Sequence, residues 1–307
     1  MRVDDLRTFV AVAEAGSLAR AAQQLGTAQP TISKSLARLE RALRSPLVER
    51  HARGVRLTDA GVVLLVHARN VDLDVRDALA ALRDLRQGQS GTVRIGVGVG
   101  IPQTLIAATC KPLLDSSNVS LEILGGMSDS LFHAVLSGDA DFAITGVRPP
   151  GSARLKWTPL FHDPLVAVAH STHPLVGARK VTWQALSQQQ WIVPNVGTIT
   201  RTWFEQQFVS RDLTPPSRVI TLRGYPMTHE LAVAISALLL VPASFGRALS
   251  GADFTEIGRP SDWTSERVVG VLARDGGHMS SAAAKAMEIL IAAARRAFPE
   301  TRGVLRK

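Results

Sequence analysis

The sequence predicts an α+β multi-domain chain: an N-terminal winged helix-turn-helix, a long linker helix and a C-terminal two-lobed α/β domain. Three observations predict it. Residues 17–40 carry two short helical patterns joined by a turn at Gly26, residues 59–88 carry one long helical pattern, and from residue 91 onward β-branched runs alternate with helical ones. At 307 residues the chain has the length of two or three domains.

In the first segment Leu18, Ala21, Ala22 and Leu25 recur at helical spacing, as do Ile32, Leu36 and Leu39, so each helix offers one face to a core. Ser17 is placed to cap the first helix. Thr27 or Ala28 opens the second, with Pro30 in the opening turn, where a missing N–H costs nothing. The other face of this second helix shows Gln29, Thr31, Ser33, Lys34 and Arg38. Glutamine pairs bidentately with adenine, hydroxyls bond bases or phosphates, and lysine takes guanine or phosphate. With Pro30, these are the candidate DNA-contacting residues of the helix. An ordinary solvated hairpin carries the same residue types, and the surrounding charge separates the two readings. Between Arg20 and Arg56 stand eight basic residues and two acidic ones, in a chain of formal charge +9. The run LVERHARGVRLT, residues 47–58, reads as a two-stranded wing with Arg53 near its tip, where an arginine can enter a minor groove.

These residues resemble the LysR-type transcriptional regulators. The strings LRTFVAVAEAGSLARAAQQL, AQPTISKSLARLE, PLVER and VRLTDAG stand in that family's order over residues 4–69. The departures are Ala28 where the family usually has Ser, Thr31 where a small apolar residue is common, and Val48 where Phe is frequent.

Thr58 is placed to cap the long helix. Its apolar residues, Val62, Leu65, Val66, Val71, Leu73, Val75, Leu79, Leu82 and Leu85, exceed what one small domain can bury, so the helix wants a partner. The resemblance implies that the partner is the same helix of a second subunit, in a dimer or homotetramer. Its target is then double-stranded DNA with an interrupted inverted repeat. GQSG at 88–91 has the composition of a hinge. The expected domains are therefore 1–58, DNA-binding; 59–90, linker and dimerisation helix with hinge; and 91–307, effector-binding. The last has lobe I at about 91–162 and 267–307 and lobe II at about 163–266.

Beyond the hinge, strand-like runs at 92–100, 119–124 and 140–145 alternate with helical ones, as do 164–170, 191–194, 217–222 and 238–242 in the second half. Such alternation reads as parallel sheets covered on both faces. RVVGVLA, residues 267–273, reads as a strand returning to the first lobe before a final helix at about 281–298. Two lobes with a chain that crosses twice resemble the family's effector domain, itself similar to periplasmic solute-binding proteins. ADFAIT, PLFHDPLVAV, HPL, WIVPNVGT and the terminal VP carry this weaker part of the resemblance.

A ligand belongs in the cleft, at strand C-termini and helix N-termini. There stand Gln103, Thr104, Ser128, Thr145, Gly146, Thr198, Ile199, Thr200 and Arg201, the candidate effector-binding residues. Free N–H groups beside hydroxyls favour an anion such as a carboxylate or sulfonate. Ser128, Thr198 and Thr200 match family effector positions; the hydroxyl usual after the first strand is replaced by Gly98 to Gly100, leaving Gln103 or Thr104 as substitutes.

No catalytic residue, cofactor or metal site is expected. The chain has no GxSxG elbow and no Walker A string, and GVGVG at 96–100 lacks dinucleotide spacing. His133, His162, His170 and His173 are scattered, and the single cysteine, Cys110, excludes an internal disulfide. No signal peptide opens MRVDDLRTF, and the apolar run Leu231 to Ala243 is too short to span a bilayer, so a cytoplasmic protein is expected. RNA polymerase is a further partner of such a regulator. Two alternatives from other classes are an α/β enzyme domain fused to a DNA-binding head and a ligand-independent DNA binder.

Overall fold

The computed structural model describes residues 1–51, 54–87, 90–116, 118–149, 151, 154–222 and 228–299. The chain divides into two compact units, one from Met1–Gly88 with Gly276–Ser280, the other from Gln89–Asp275 with Ser281–Lys307.

The first unit contains α1 (Val3–Ala15), α2 (Leu18–Gln24), α3 (Gln29–Leu43), β1 (Val48–His51), β2 (Gly54–Leu57) and α4 (Asp59–Gln87). Its core is built from the apolar faces seen in the sequence. Phe9 and Val12 of α1 meet Ala21 of α2 and Leu36 and Leu39 of α3, all fully buried. Burying each large side chain of this kind contributes about 1.5–3 kcal/mol. Ser17 stands at the N-cap of α2 in extended conformation, but its side chain makes no capping bond. Ala28 is the N-cap of α3, with Pro30 in the first turn. Thr58 does cap α4: its hydroxyl accepts from Gly61 N at 3.0 Å and donates to Pro46 O at 2.7 Å.

β1 and β2 pair antiparallel, from Val48 opposite Leu57 to His51 opposite Gly54. This ribbon docks on the turn after α1 through Gly54. A Cβ at Gly54 would lie 2.4 Å from the Gly16 carbonyl oxygen, the atom that accepts Val55 N–H at 2.9 Å. With a φ of 134° as well, the position admits only glycine. Arg53, the expected wing tip, lies outside the described residues.

The second unit runs β3 (Ser90–Gly98), α5 (Gln103–Ser116), β4 (Asn118–Gly126), α6 (Ser128–Ser137), β5 (Phe142–Thr145), β6 (Leu155–His162) and β7 (Leu165–His170). It continues with α7 (Trp183–Ser187), β8 (Trp191–Pro194), α8 (Ile199–Val209), β9 (Val219–Leu222), α9 (Thr228–Ala234) and β10 (Leu238–Pro242). Last come α10 (Ala243–Ala248), a 3₁₀ turn at Leu249–Ala252, β11 (Phe254–Glu256), β12 (Val268–Arg274) and α11 (Ser281–Ala297).

Two five-stranded sheets result, ordered β4-β3-β5-β12-β6 and β11-β7-β10-β8-β9. The alternating pattern predicts parallel sheets, and both are mixed instead. β3 is parallel to β4 and β5, and β8 is parallel to β9 and β10, but β12 runs antiparallel to β5 and β6, and β7 antiparallel to β10 and β11. The chain crossing dictates this. The strands β3, β4, β5 and β6 run toward the cleft, where β6 hands the chain to the other lobe. β7 therefore starts at the cleft and runs away from it, and β12, entering from the second lobe, does the same in the first.

Each lobe has its own core. Trp191, Phe204 and Phe208 are fully buried in the second lobe, where Trp183 and Trp263 stack with centroids 5.1 Å apart. Phe161 of β6 stacks on Phe298, just past α11, at 3.8 Å. Among the described residues, no helix is long and apolar enough to cross a membrane.

Candidate functional site

Two surfaces carry the candidate residues. On α3, Gln29, Pro30, Thr31 and Lys34 are exposed and Ser33 is half-buried. Arg38 is also half-buried, but its guanidinium is committed inward. It donates to Asp5 of α1 through Nε at 3.0 Å and through Nη2, while Ser35 Oγ donates to the same carboxylate at 2.5 Å. Asp5 is fully buried. The Arg38 hydrogen bonds hold its carboxyl at about 2, against the opposing effect of burial and with help from Ser35, and the Arg38 pKa rises in turn. The pair fixes the rotation of α3 on α1, and with it which side chains face outward.

This ion pair makes the first unit acid-sensitive. A carboxyl depressed below its ordinary 3.8 contributes stability that is complete above that value and is lost as pH falls through about 2. Asp5→Asn is therefore expected to lower stability at neutral pH and to flatten the acid loss across that window, read by circular dichroism during acid titration. An acid profile identical to that of the unsubstituted chain would show that the pair contributes nothing.

The second surface is a cavity of about 350 Å³ between the two lobes of the second unit. It sits at the C-termini of β8 and β10 and at the N-termini of α6 and α8, so backbone N–H groups of both helices point toward it. Ser128, Gly146, Thr198, Ile199 and Thr200 line it. The walls are otherwise largely apolar, with Leu165, Ile192, Leu240 and Val241 among them. Thr198 is the N-cap of α8: its hydroxyl accepts from Arg201 N at 3.2 Å and donates to Asn195 O at 2.9 Å. One lone pair of that oxygen is left for a ligand.

Four candidate residues do not line the cavity. Gln103 and Thr104 are exposed in the first turn of α5. Thr145 is fully buried, its hydroxyl donating to Val147 O at 2.8 Å. Arg201 is 8% exposed and turned into the lobe, with Nε donating to Glu205 at 2.7 Å and Nη1 reaching Pro194 O and Thr221 Oγ1 at 3.5 Å. The Glu205 partner at i+4 on the same helix is the sequence signal for this role.

Sequence reasoning missed a charged cluster at the crossing segments. Arg267, the residue before β12, lines the cavity with a side chain 9% exposed, and its Nη1 donates to Asp163 Oδ2 at 2.8 Å. Asp163, between β6 and β7, is 1% exposed and also accepts from Ser244 N at 2.8 Å and Ser244 Oγ at 2.7 Å, in the first turn of α10. Gly146 makes room for the arginine. A Cβ there would come within 2.2–2.4 Å of Nη2, Cζ and Nε, so the guanidinium fits only because position 146 carries no side chain. Asp129, exposed in the first turn of α6, is the other charged residue of the lining. Among the described residues, no group of three or more His, Cys, Asp or Glu is placed to hold a metal ion.

Residues 3–62 match the model of the bacterial regulatory helix-turn-helix protein, lysR family, and residues 86–295 match the LysR substrate binding domain. The chain is 31% identical over 223 residues to the transcriptional regulator GbpR of Azospirillum brasilense, a match spanning 72% of this chain and 65% of that relative. It is 32% identical over 234 residues to the regulator CfxR of Cupriavidus necator, covering 75% and 72%. In structure it resembles ArgP from Mycobacterium tuberculosis, with a TM-score of 0.67 at 21% identity over 94% of this chain and 96% of that one. Both matches fall in one family, and this chain is a LysR-type DNA-binding transcriptional regulator with an effector-binding domain.

Proposed function

We propose that this regulator binds its operator as a homo-oligomer and is controlled by a small anionic effector, a carboxylate or sulfonate, in the cleft between its lobes. Residues 1–58 bind DNA, residues 59–90 pair with a second copy, and residues 91–307 take the effector. One observation carries the reading of the ligand: the cavity lies between the N-termini of α6 and α8. Each such terminus bears roughly half a positive charge. At α8 no acidic residue in the first turn offsets it. The apolar walls suit the body of such a ligand. In this reading the domain senses and does not catalyse, and occupancy of the cleft re-aims the effector domains within a dimer or tetramer, altering the spacing of the DNA-binding heads and the bend they impose. RNA polymerase is the downstream partner, in the cytoplasm.

On the DNA side Gln29, Pro30, Thr31, Ser33 and Lys34 read the major groove, Arg53 reaches the minor groove, and Arg38 holds α3 in place. The test is a footprint on the DNA upstream of the regulator's own gene, at several salt concentrations and with a panel of carboxylates and sulfonates. Protection of an interrupted inverted repeat, changed in extent by one of these acids, is the expected result. Lys34→Ala is expected to weaken binding evenly across sequences and to reduce the slope of log affinity against log salt by about one unit. Diffuse protection that salt erases, insensitive to every acid, overturns the proposal.

A further inference from the structure

We infer that Arg267 is the receptor for the effector's carboxylate and that, through Asp163, it ties occupancy of the cleft to the two chain crossings between the lobes; this rests on the reading of the cleft as the effector site. Only one of its guanidinium nitrogens is spent. Nη1 donates to Asp163 Oδ2 and approaches Asp163 O at 3.4 Å. Among the described residues, Nε and Nη2 have no hydrogen-bond partner. These two share one edge of the guanidinium, the fork that takes a carboxylate with two parallel bonds. The side chain is nine-tenths buried and lines the cavity, so two donors without a protein partner are available to whatever occupies it.

Repulsion between the anion and Asp163 is weakened, because that carboxylate is paired with Nη1 and also accepts from the Ser244 N–H and O–H. Its charge is spread over donors on the far side of the guanidinium. Gly146 completes the receptor, because a Cβ there would occupy the Nε–Cζ–Nη2 side of the guanidinium.

The position supplies the coupling. Asp163 and Arg267 lie on the two chain crossings, where Asp163 N donates to Arg267 O at 2.9 Å, and Ser244 belongs to the second lobe. A carboxylate that pulls on the Nε edge pulls on the ion pair joining both crossings to α10. Asp163 is thus a positioning residue, acting through Arg267.

The experiment is calorimetric titration of the full chain with benzoate and 3-phenylpropionate and with their neutral amides, in the parent and in Arg267→Gln and Gly146→Ala. The second variant keeps both charges of the ion pair and displaces only the fork, so it serves where Arg267→Gln fails to fold. The expected result is that both variants lose carboxylate affinity about ten- to a hundredfold while amide binding changes little. Equal carboxylate affinity in parent and Gly146→Ala overturns the assignment of Arg267. Amides binding where the carboxylates do not also overturns it, and leaves the cleft standing as the effector site. If neither class binds the parent, the assignment of Arg267 as a carboxylate receptor falls, and the footprint with the wider panel of acids decides the cleft reading.

Discussion

Asp163→Ala is expected to destabilise the second unit by about 3–5 kcal/mol, the range for removing one partner of a buried ion pair. Asp163 and Arg267 are 1% and 9% exposed at their side chains, so the arginine left behind has little water to turn to. The same substitution strips α10 of its N-terminal acceptor, because Ser244 N and Oγ both donate to this carboxylate. Asp163→Asn keeps an acceptor for Ser244 and loses only the charge, so a smaller loss is expected. The measurement is urea unfolding followed by tryptophan fluorescence. All five tryptophans, residues 157, 183, 191, 203 and 263, lie in this unit, and the signal therefore reports on it alone. A shift below about 1 kcal/mol for Asp163→Ala would mean that water replaces the lost partner, and that the cluster is not a structural joint.

What the sequence made legible follows from how local each feature is. The first unit is built from short-range periodicity, and the faces read from Leu18, Ile32, Leu36 and Leu39 are those that form its core. Arg38 stood on the polar side of that pattern. Its true neighbour, Asp5, is 33 positions away and enters only when α1 packs on α3. The cleft shows the same limit. Ser128, Thr198 and Thr200 are visible because they follow strands and open helices. Arg267 precedes a strand, and its meaning comes from a partner 104 positions away and from a glycine in another loop. Strand β6 escaped pattern reading because Pro159 sits inside it; the strand tolerates proline by lying at the edge of its sheet, beside a bulge at Val269 and Gly270. Strand direction was lost for a different reason. Alternation of strand and helix says nothing about where a chain leaves one lobe for another.

Introducing glutamate at Val63 and Val66 of α4 is expected to separate the regulator into single chains and to cost operator affinity about a hundred- to ten-thousandfold, the contribution of a second, tethered half-site. The helix has two unlike sides near its start. One packs on α1: Ala68 is 1% exposed, Arg7 of α1 pairs with Asp72, and Glu14 of α1 with Arg69. The other carries Val62, Val63 and Val66 at 55%, 63% and 58% exposure. Three adjacent valines held in water on a helix that already has its intramolecular partner are the apolar stripe a second copy would cover. Because these side chains touch little in the single chain, the substitutions should alter its own stability by no more than about 0.5 kcal/mol. Sedimentation velocity reads the mass and fluorescence anisotropy on a labelled operator reads the affinity, with circular dichroism as the check that the helices persist. A chain that falls to monomer mass yet keeps its operator affinity would break the link between pairing and DNA binding. One that keeps its mass moves the pairing surface elsewhere, since two buried charges facing their own copies across a two-fold axis could not be accommodated.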